Sequence, residues 1–193
     1  MLVYGIPSFR LEKSVIEAEI EVLKAMGIEF KCGIEVGKDI TLDDLRKEGY
    51  EAFYVAIGAQ GSRKLNIPGE DNEMVISGID FLRKVNKTED PNLISGDVVV
   101  VGGGNVAIDV ARAALRSGAE KVHLYSLEQE AEMPASSEEV LEAKDEGIVL
   151  HCGWGPKEIL EDSIVFKQCV SVKDETGRFN PNYDENVLET MQC

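Results

Sequence analysis

The chain has 193 residues, 44% of them hydrophobic, and a formal net charge of −16. This length and apolar content suffice for one large or two small domains with packed cores. The negative charge would repel nucleic-acid backbones and acidic membrane surfaces, so we expect neither as a partner. No apolar run approaches the ~20 residues of a membrane span, and the start lacks a basic signal region, so we expect a cytoplasmic protein.

The first part of the chain alternates between helical and strand patterns. Apolar residues at helical spacing predict a helix over 14–26, and the alternation that follows predicts a strand over 28–32. Thr41 provides a capped start for a short helix. The continuously apolar run at 52–58 is typical of a strand buried on both faces of a parallel sheet.

The second part contains a βαβ unit. After a short helix over 78–84, the patterns predict strands and helices in alternation, at 97–101, 106–116, 121–125, 136–147 and 148–150. Ser136 and Glu139 resemble a capping box. Strands over 164–172 and 187–191 would form an antiparallel excursion. We therefore expect an α/β fold with a Rossmann-like parallel sheet and a domain boundary near residue 74, dividing the chain into 1–74 and 75–193.

A glycine-rich loop joins the first strand of this unit to its helix. It follows the G-x-G-x-x-A pattern, in which the first glycine allows a tight turn, the second admits the phosphates and the alanine lets the helix pack closely. Its residues are Gly102, Gly103, Gly104, Asn105, Val106 and Ala107. Such a loop at a helix N-terminus predicts binding of a dinucleotide pyrophosphate. The alternative is a glycine turn without a ligand.

The acidic residue Glu128 follows the next strand, where dinucleotide-binding folds place a carboxylate against the adenosine ribose. His123 and His151 stand alone in the sequence, without the spacing of a triad or a metal site. The four cysteines are scattered, and we interpret them as reduced thiols. We predict no catalytic side chain and no metal site, since hydride transfer between two cofactor rings needs no protein nucleophile.

Several motifs in order along the chain resemble the glutamate synthase small subunit and its relatives, which are flavin-dependent pyridine nucleotide oxidoreductases. The matching segments are residues 2–11, 56–59, 67–71, 101–109 and 132–135. The resemblance implies an FAD domain interrupted by an inserted NAD(P) domain. It also implies that NAD(P)H reduces FAD and that electrons pass on to iron–sulfur domains or a large catalytic subunit.

The resemblance also implies sites for the flavin. Gly5, Ile6, Pro7 and Gly58 match positions where family members approach the flavin. The family's FAD fingerprint and its final strand have no counterpart in these residues. We therefore expect 1–74 to be part of an FAD domain, 75–193 to be the inserted nicotinamide domain, and FAD not to be retained by this chain.

The loop after the second strand bears on the choice between NAD and NADP. Family members that use NADPH commonly carry a Tyr-Arg-Arg sequence there, whereas this chain has Tyr125-Ser126-Leu127 and no Lys or Arg until Lys144. A carboxylate suits the free 2′-hydroxyl of NAD, so we expect NAD to be preferred over NADP. We favour Glu128 for this role, with Ser126 or Glu130 as alternatives.

Two other functions are compatible with a glycine loop. One is a nucleotide-sensing Rossmann module without a redox role, and the other is an S-adenosylmethionine-dependent methyltransferase. The segments that resemble a flavin domain count against a sensor. S-adenosylmethionine contains no pyrophosphate, which counts against a methyltransferase.

Overall fold

The computed structural model describes residues 1–88 and 90–193. Three helices precede the first strand: α1 (Lys13–Ala25), α2 (Leu42–Lys47) and α3 (Gly78–Thr88). Thr41 caps α2 through a complete capping box with Asp44, as its sequence predicts. The helices predicted before the glycine loop are confirmed.

A three-stranded parallel sheet forms the centre of the second part. Its strands are β1 (Asp97–Val101), β2 (Lys121–Ser126) and β3 (Val149–Cys152), hydrogen-bonded in the order β1-β2-β3. Helix α4 (Asn105–Arg116) joins β1 to β2, and α5 (Ser137–Asp145) joins β2 to β3. The predicted α/β fold with a parallel sheet is confirmed.

The main core lies between these helices and the sheet. Helix α4 buries Ile108 and several alanines, whose small side chains let it approach Val122 and Leu124 of β2 closely. Helix α3 adds Phe81 and Leu82 to the same cluster. This packing fixes the start of α4, and with it the glycine loop, at the carboxyl edge of the sheet.

A second sheet follows β3 and is antiparallel. It contains β4 (Trp154–Ile159), β5 (Ser163–Lys173) and β6 (Phe179–Gln192) in the order β4-β5-β6. Phe166 of β5 stacks on Tyr125 of β2 with 3.7 Å between ring centres, so the two sheets share a smaller core. The predicted antiparallel excursion is confirmed.

Two predicted strands of the first part are wrong. Residues 28–32 and 52–58 form neither helix nor strand. Tyr54 is 94% exposed and Ile57 is 78% exposed, although their apolar run is typical of a buried strand. A strand is stable only when a neighbour pairs with its backbone, and no described strand pairs with either segment. The division at residue 74 stays a prediction.

Candidate nucleotide-binding site

The glycine loop turns tightly between β1 and α4. Gly102 has a φ of +141°, a conformation that favours glycine, and a Cβ on it would lie only 3.2 Å from the Cβ of Ala107. The small residues at these two positions therefore allow the helix to begin close to the strand. The amide of Gly102 donates to the carbonyl of Tyr125 at 2.8 Å, which fixes the loop against β2.

Gly104 caps α4 and faces open space. Its φ of −95° is ordinary for any residue, and a Cβ on it would have no neighbour within 4 Å. The first amides of an α-helix lack partners within the helix and carry a partial positive charge. The open start of α4 can therefore hold the two negative phosphates of a dinucleotide.

Ser126 and Glu128 lie against this loop. A Cβ on Gly103 would be 2.7 Å from Oε2 of Glu128 and 3.1 Å from Cβ of Ser126. Ser126 is the buried last residue of β2, and its hydroxyl donates to the carbonyl of Glu128 at 2.9 Å. The fold thus brings both predicted ribose-contacting residues beside the loop. Their role in binding stays a prediction.

Asn105 and Val106 differ in their surroundings. The side-chain oxygen of Asn105 accepts from the amide of Ser136 at 2.9 Å and so ties the start of α4 to the start of α5. Val106 is 55% exposed. The predicted capping box of α5 is wrong, because Ser136 makes no side-chain capping bond and Glu139 pairs instead with Arg10. The ion pair with Arg10, a cation distant in sequence, takes Glu139 away from its capping position.

The N-terminal segment packs against α4 and α5. Arg10 bridges Asp109 of α4 and Glu139 of α5. Phe9 lies under two arginines of α4, 4.7 Å from the guanidinium of Arg112 and 4.4 Å from that of Arg116. Sequence reasoning missed this bridge, although Arg10 and Asp109 both lie in segments that carry the family resemblance.

The residues matched to flavin positions lie in two separate segments of the chain, 5–7 and 58. Gly5 donates its amide to the carbonyl of Met1 at 2.7 Å, Ile6 accepts at its carbonyl from Lys13 at 2.6 Å, and Pro7 is buried. Gly58 lies in the irregular segment, and a Cβ on it would meet nothing within 4 Å. Their role in flavin binding stays a prediction.

The two histidines, predicted to be isolated, lie together. Nδ1 of His123 and Nε2 of His151 are 3.0 Å apart, and His151 stacks on Tyr125. Tyr125 donates to Glu189 of β6 at 2.6 Å, so the cluster does contain a carboxylate. Burial and the neighbouring Glu189 raise the pKa of Tyr125, which keeps its hydroxyl protonated. The cluster joins the two sheets and lies outside the glycine loop.

The described part of the chain contains no arrangement of side chains for a metal site and no disulfide bond. Across residues 1–88 and 90–193, no three His, Cys, Asp or Glu side chains are placed to hold a metal ion. All four cysteines are free, and Cys32 and Cys193 are exposed. None of the helices described is long and apolar enough to cross a membrane.

Comparison with known proteins gives similar sequences along nearly the whole chain. It is 41% identical over 189 residues to the beta subunit of an NADP(+)-dependent formate dehydrogenase from Moorella thermoacetica, covering 94% of this chain and 27% of that protein. It is 33% identical over 209 residues to the small chain of a glutamate synthase [NADPH] from Azospirillum brasilense, covering 100% of this chain and 43% of that protein. The chain thus spans less than half the length of these relatives.

A solved structure has the same fold. FprA from Mycobacterium tuberculosis, determined in complex with NADPH, matches with a TM-score of 0.81 at 22% identity, over 99% of this chain and 59% of FprA. Residues 6–181 match the family described as pyridine nucleotide-disulphide oxidoreductase. The matched residues include the glycine loop and the segments on either side of it. The chain therefore belongs to the pyridine nucleotide-disulphide oxidoreductase family.

Proposed function

We propose that the glycine loop binds a nicotinamide dinucleotide and that the chain is the nucleotide-binding part of a flavin-dependent oxidoreductase. The observation that carries this proposal is the open start of α4 at Gly104, with the carboxylate of Glu128 beside the same loop. The helix start meets the pyrophosphate, and the loop after β2 meets the adenosine ribose. The bound nucleotide supplies a hydride, so this chain's residues have only to bind and orient it.

The relatives' names favour NADP(H) and weigh against the predicted preference for NAD. One relative is named NADP(+)-dependent and another is named for NADPH. We therefore propose NADP(H) as the ligand of this chain. The prediction of NAD rested on acidic residues after β2 and on the lack of a nearby Lys or Arg in sequence. In the folded chain, however, Lys144 reaches Glu130 in that loop, with 2.8 Å between Nζ and Oε1.

The flavin and the iron–sulfur centres belong to the proposal for a longer protein like these relatives. We expect this chain by itself not to retain FAD, so we assign no step at a flavin to it. Transfer of electrons to iron–sulfur domains or a large catalytic subunit rests on the family resemblance. A cytoplasmic location stays a prediction.

The proposal is tested by titrating the purified chain with NADPH, NADH and S-adenosylmethionine in a calorimeter. We expect saturable binding of NADPH and none of S-adenosylmethionine. A folded chain that binds neither nicotinamide nucleotide would contradict the proposal, and binding of S-adenosylmethionine alone would favour the methyltransferase. Family membership gives the methyltransferase no support.

A sensing module would also bind a nucleotide, so binding alone does not separate it from an oxidoreductase. A longer protein that contains this chain and resembles these relatives should carry flavin, and anaerobic addition of NADPH should bleach its visible flavin absorption. A flavin that stays oxidised under saturating NADPH would favour the sensor.

A further inference from the structure

The side chain of Lys144 contacts the acidic loop that follows β2, although the loop itself contains no Lys or Arg. No Lys or Arg occurs between Lys121 and Lys144. Helix α5 carries Lys144 in its last turn. Because side chains on a helix lean toward its N-terminus, the amino group of Lys144 reaches back toward the loop. It lies 2.8 Å from Oε1 of Glu130.

The loop that Lys144 contacts is fixed at the carboxyl edge of the parallel sheet. The carbonyl of Glu128 accepts from the hydroxyl of Ser126 at 2.9 Å and from the amide of Gly153 at 3.0 Å. Gly153 directly follows β3, so these bonds tie the loop to the ends of two neighbouring strands. In dinucleotide-binding folds, groups just beyond the second strand meet the 2′ position of the adenosine ribose.

We propose that Lys144 determines cofactor specificity by receiving the 2′-phosphate of NADPH in exchange for Glu130. This inference rests on the proposed binding of a nicotinamide dinucleotide at the glycine loop. The two side chains are 43% and 51% exposed, so breaking their ion pair costs little. The 2′-phosphate carries a charge close to −2, so it attracts the ammonium group of Lys144 more strongly than a single carboxylate does.

The carboxylates of the loop after β2 would repel a 2′-phosphate unless a cation lies nearby. Glu128, Glu130 and Glu132 lie within five residues of sequence, and Oε2 of Glu128 lies beside Gly103. A 2′-phosphate approaching these carboxylates without a cation would be repelled. The ion pair with Glu130 raises the pKa of Lys144, so the amino group is charged at neutral pH.

The experiment compares the affinities of NADPH and NADH in the unmodified chain and four variants at low salt. Lys144→Gln removes the cation, and Lys121→Gln makes the same change at the first residue of β2, on the opposite edge of the sheet. Glu130→Gln removes the competing carboxylate. Lys144→Gln should weaken NADPH about tenfold and leave NADH unchanged. Lys121→Gln should change neither, and Glu130→Gln should strengthen NADPH more than NADH.

The outcomes separate this inference from the proposed function. If the unmodified chain binds neither nucleotide, the proposed function fails. If it binds both and Lys144→Gln leaves the NADPH to NADH ratio unchanged, the inference is overturned while the proposed function stands. Should Lys144→Gln not fold, as judged by circular dichroism, Glu130→Gln decides, because an unchanged ratio there also overturns the inference. Lys144→Arg keeps the charge and should keep NADPH binding.

Discussion

The imidazole rings of His123 and His151 face each other across β2 and β3, with Nδ1 of His123 3.0 Å from Nε2 of His151. His151 also stacks on Tyr125, with 4.2 Å between ring centres. On its other side, Nδ1 of His151 lies 3.5 Å from Glu189 of β6. Two neutral rings can share one hydrogen bond, whereas two cationic rings would repel each other. The charge of His151 therefore affects its packing against His123 and Tyr125 and its contact with Glu189 of the second sheet.

Acidification should lower the free energy of unfolding of this chain. Burial lowers the pKa of His151 below its ordinary value of 6.5; Glu189 raises it and His123 lowers it further. Below 6.5 the unfolded chain binds this proton more readily than the folded chain does, so the free energy of unfolding falls as the pH drops toward the lowered pKa. We expect His151→Phe, which keeps a ring on Tyr125, to reduce this pH dependence.

The measurement is urea unfolding of both forms between about pH 7.5 and pH 5.5. The carboxylates of this acidic chain titrate in both forms, so the difference between the two curves isolates the contribution of His151. Parallel curves over the whole range would mean that His151 does not titrate differently in the folded state.

Gly104→Val should weaken nucleotide binding strongly and leave the fold intact. A Cβ on Gly104 would enter empty space at the start of α4, where the phosphates are proposed to lie. We expect NADPH affinity to fall at least about tenfold, with the free energy of unfolding lowered by no more than about 1 kcal/mol. Calorimetric titration and urea unfolding measure the two quantities. A folded variant that binds NADPH as tightly as the parent would show that the ligand does not approach this residue.

Gly102→Val is the contrasting variant in the same loop. Gly102 has a φ of +141°, and its Cβ would lie 3.2 Å from that of Ala107. Both features strain the fold itself, so we expect a loss of about 2 kcal/mol or more. Equal stability of the Gly102 and Gly104 variants would contradict the distinction between a structural and a ligand-facing glycine.

Arg10→Met should destabilise the packing of the N-terminal segment on α4 and α5. The substitution leaves Asp109 and Glu139, whose side chains are only 12% and 16% exposed, without their shared cation. Removing one partner from such a partly buried network costs about 2–3 kcal/mol.

Lys24→Met provides the control for Arg10→Met, because it removes an exposed ion pair with Glu21 on α1. We expect no measurable change in urea unfolding for this variant. If the two variants were equally stable, the Arg10 bridge would contribute no more than an exposed ion pair.

The chain purified alone should contain no flavin. Gly58 and the apolar run before it lie in an irregular segment in which Tyr54 is 94% exposed, so we expect these residues not to hold a flavin by themselves. The visible absorption spectrum checks this prediction directly. A stoichiometric flavin band that survives gel filtration would show that these residues do bind the cofactor.

The sequence by itself determined the parallel sheet, α4 and the glycine loop. Each follows from a pattern in a few consecutive residues. β1 contains four consecutive valines, α4 has apolar residues at helical spacing, and Gly102 can adopt a φ of +141°. The same reasoning failed at 52–58, because an apolar run becomes a strand only when another strand pairs with it. No described strand pairs with this segment.

Only the tertiary structure decided which side chains meet. His123 contacts His151 because β2 and β3 pair in parallel with His123 opposite Val149 and Tyr125 opposite His151, a register that neither strand encodes alone. Arg10 reaches Asp109, and Lys144 reaches Glu130, through the packing of α4 and α5. Local patterns fix backbone conformation over a few residues, whereas contacts between distant charges depend on how whole elements pack, so no spacing rule along the chain predicts them.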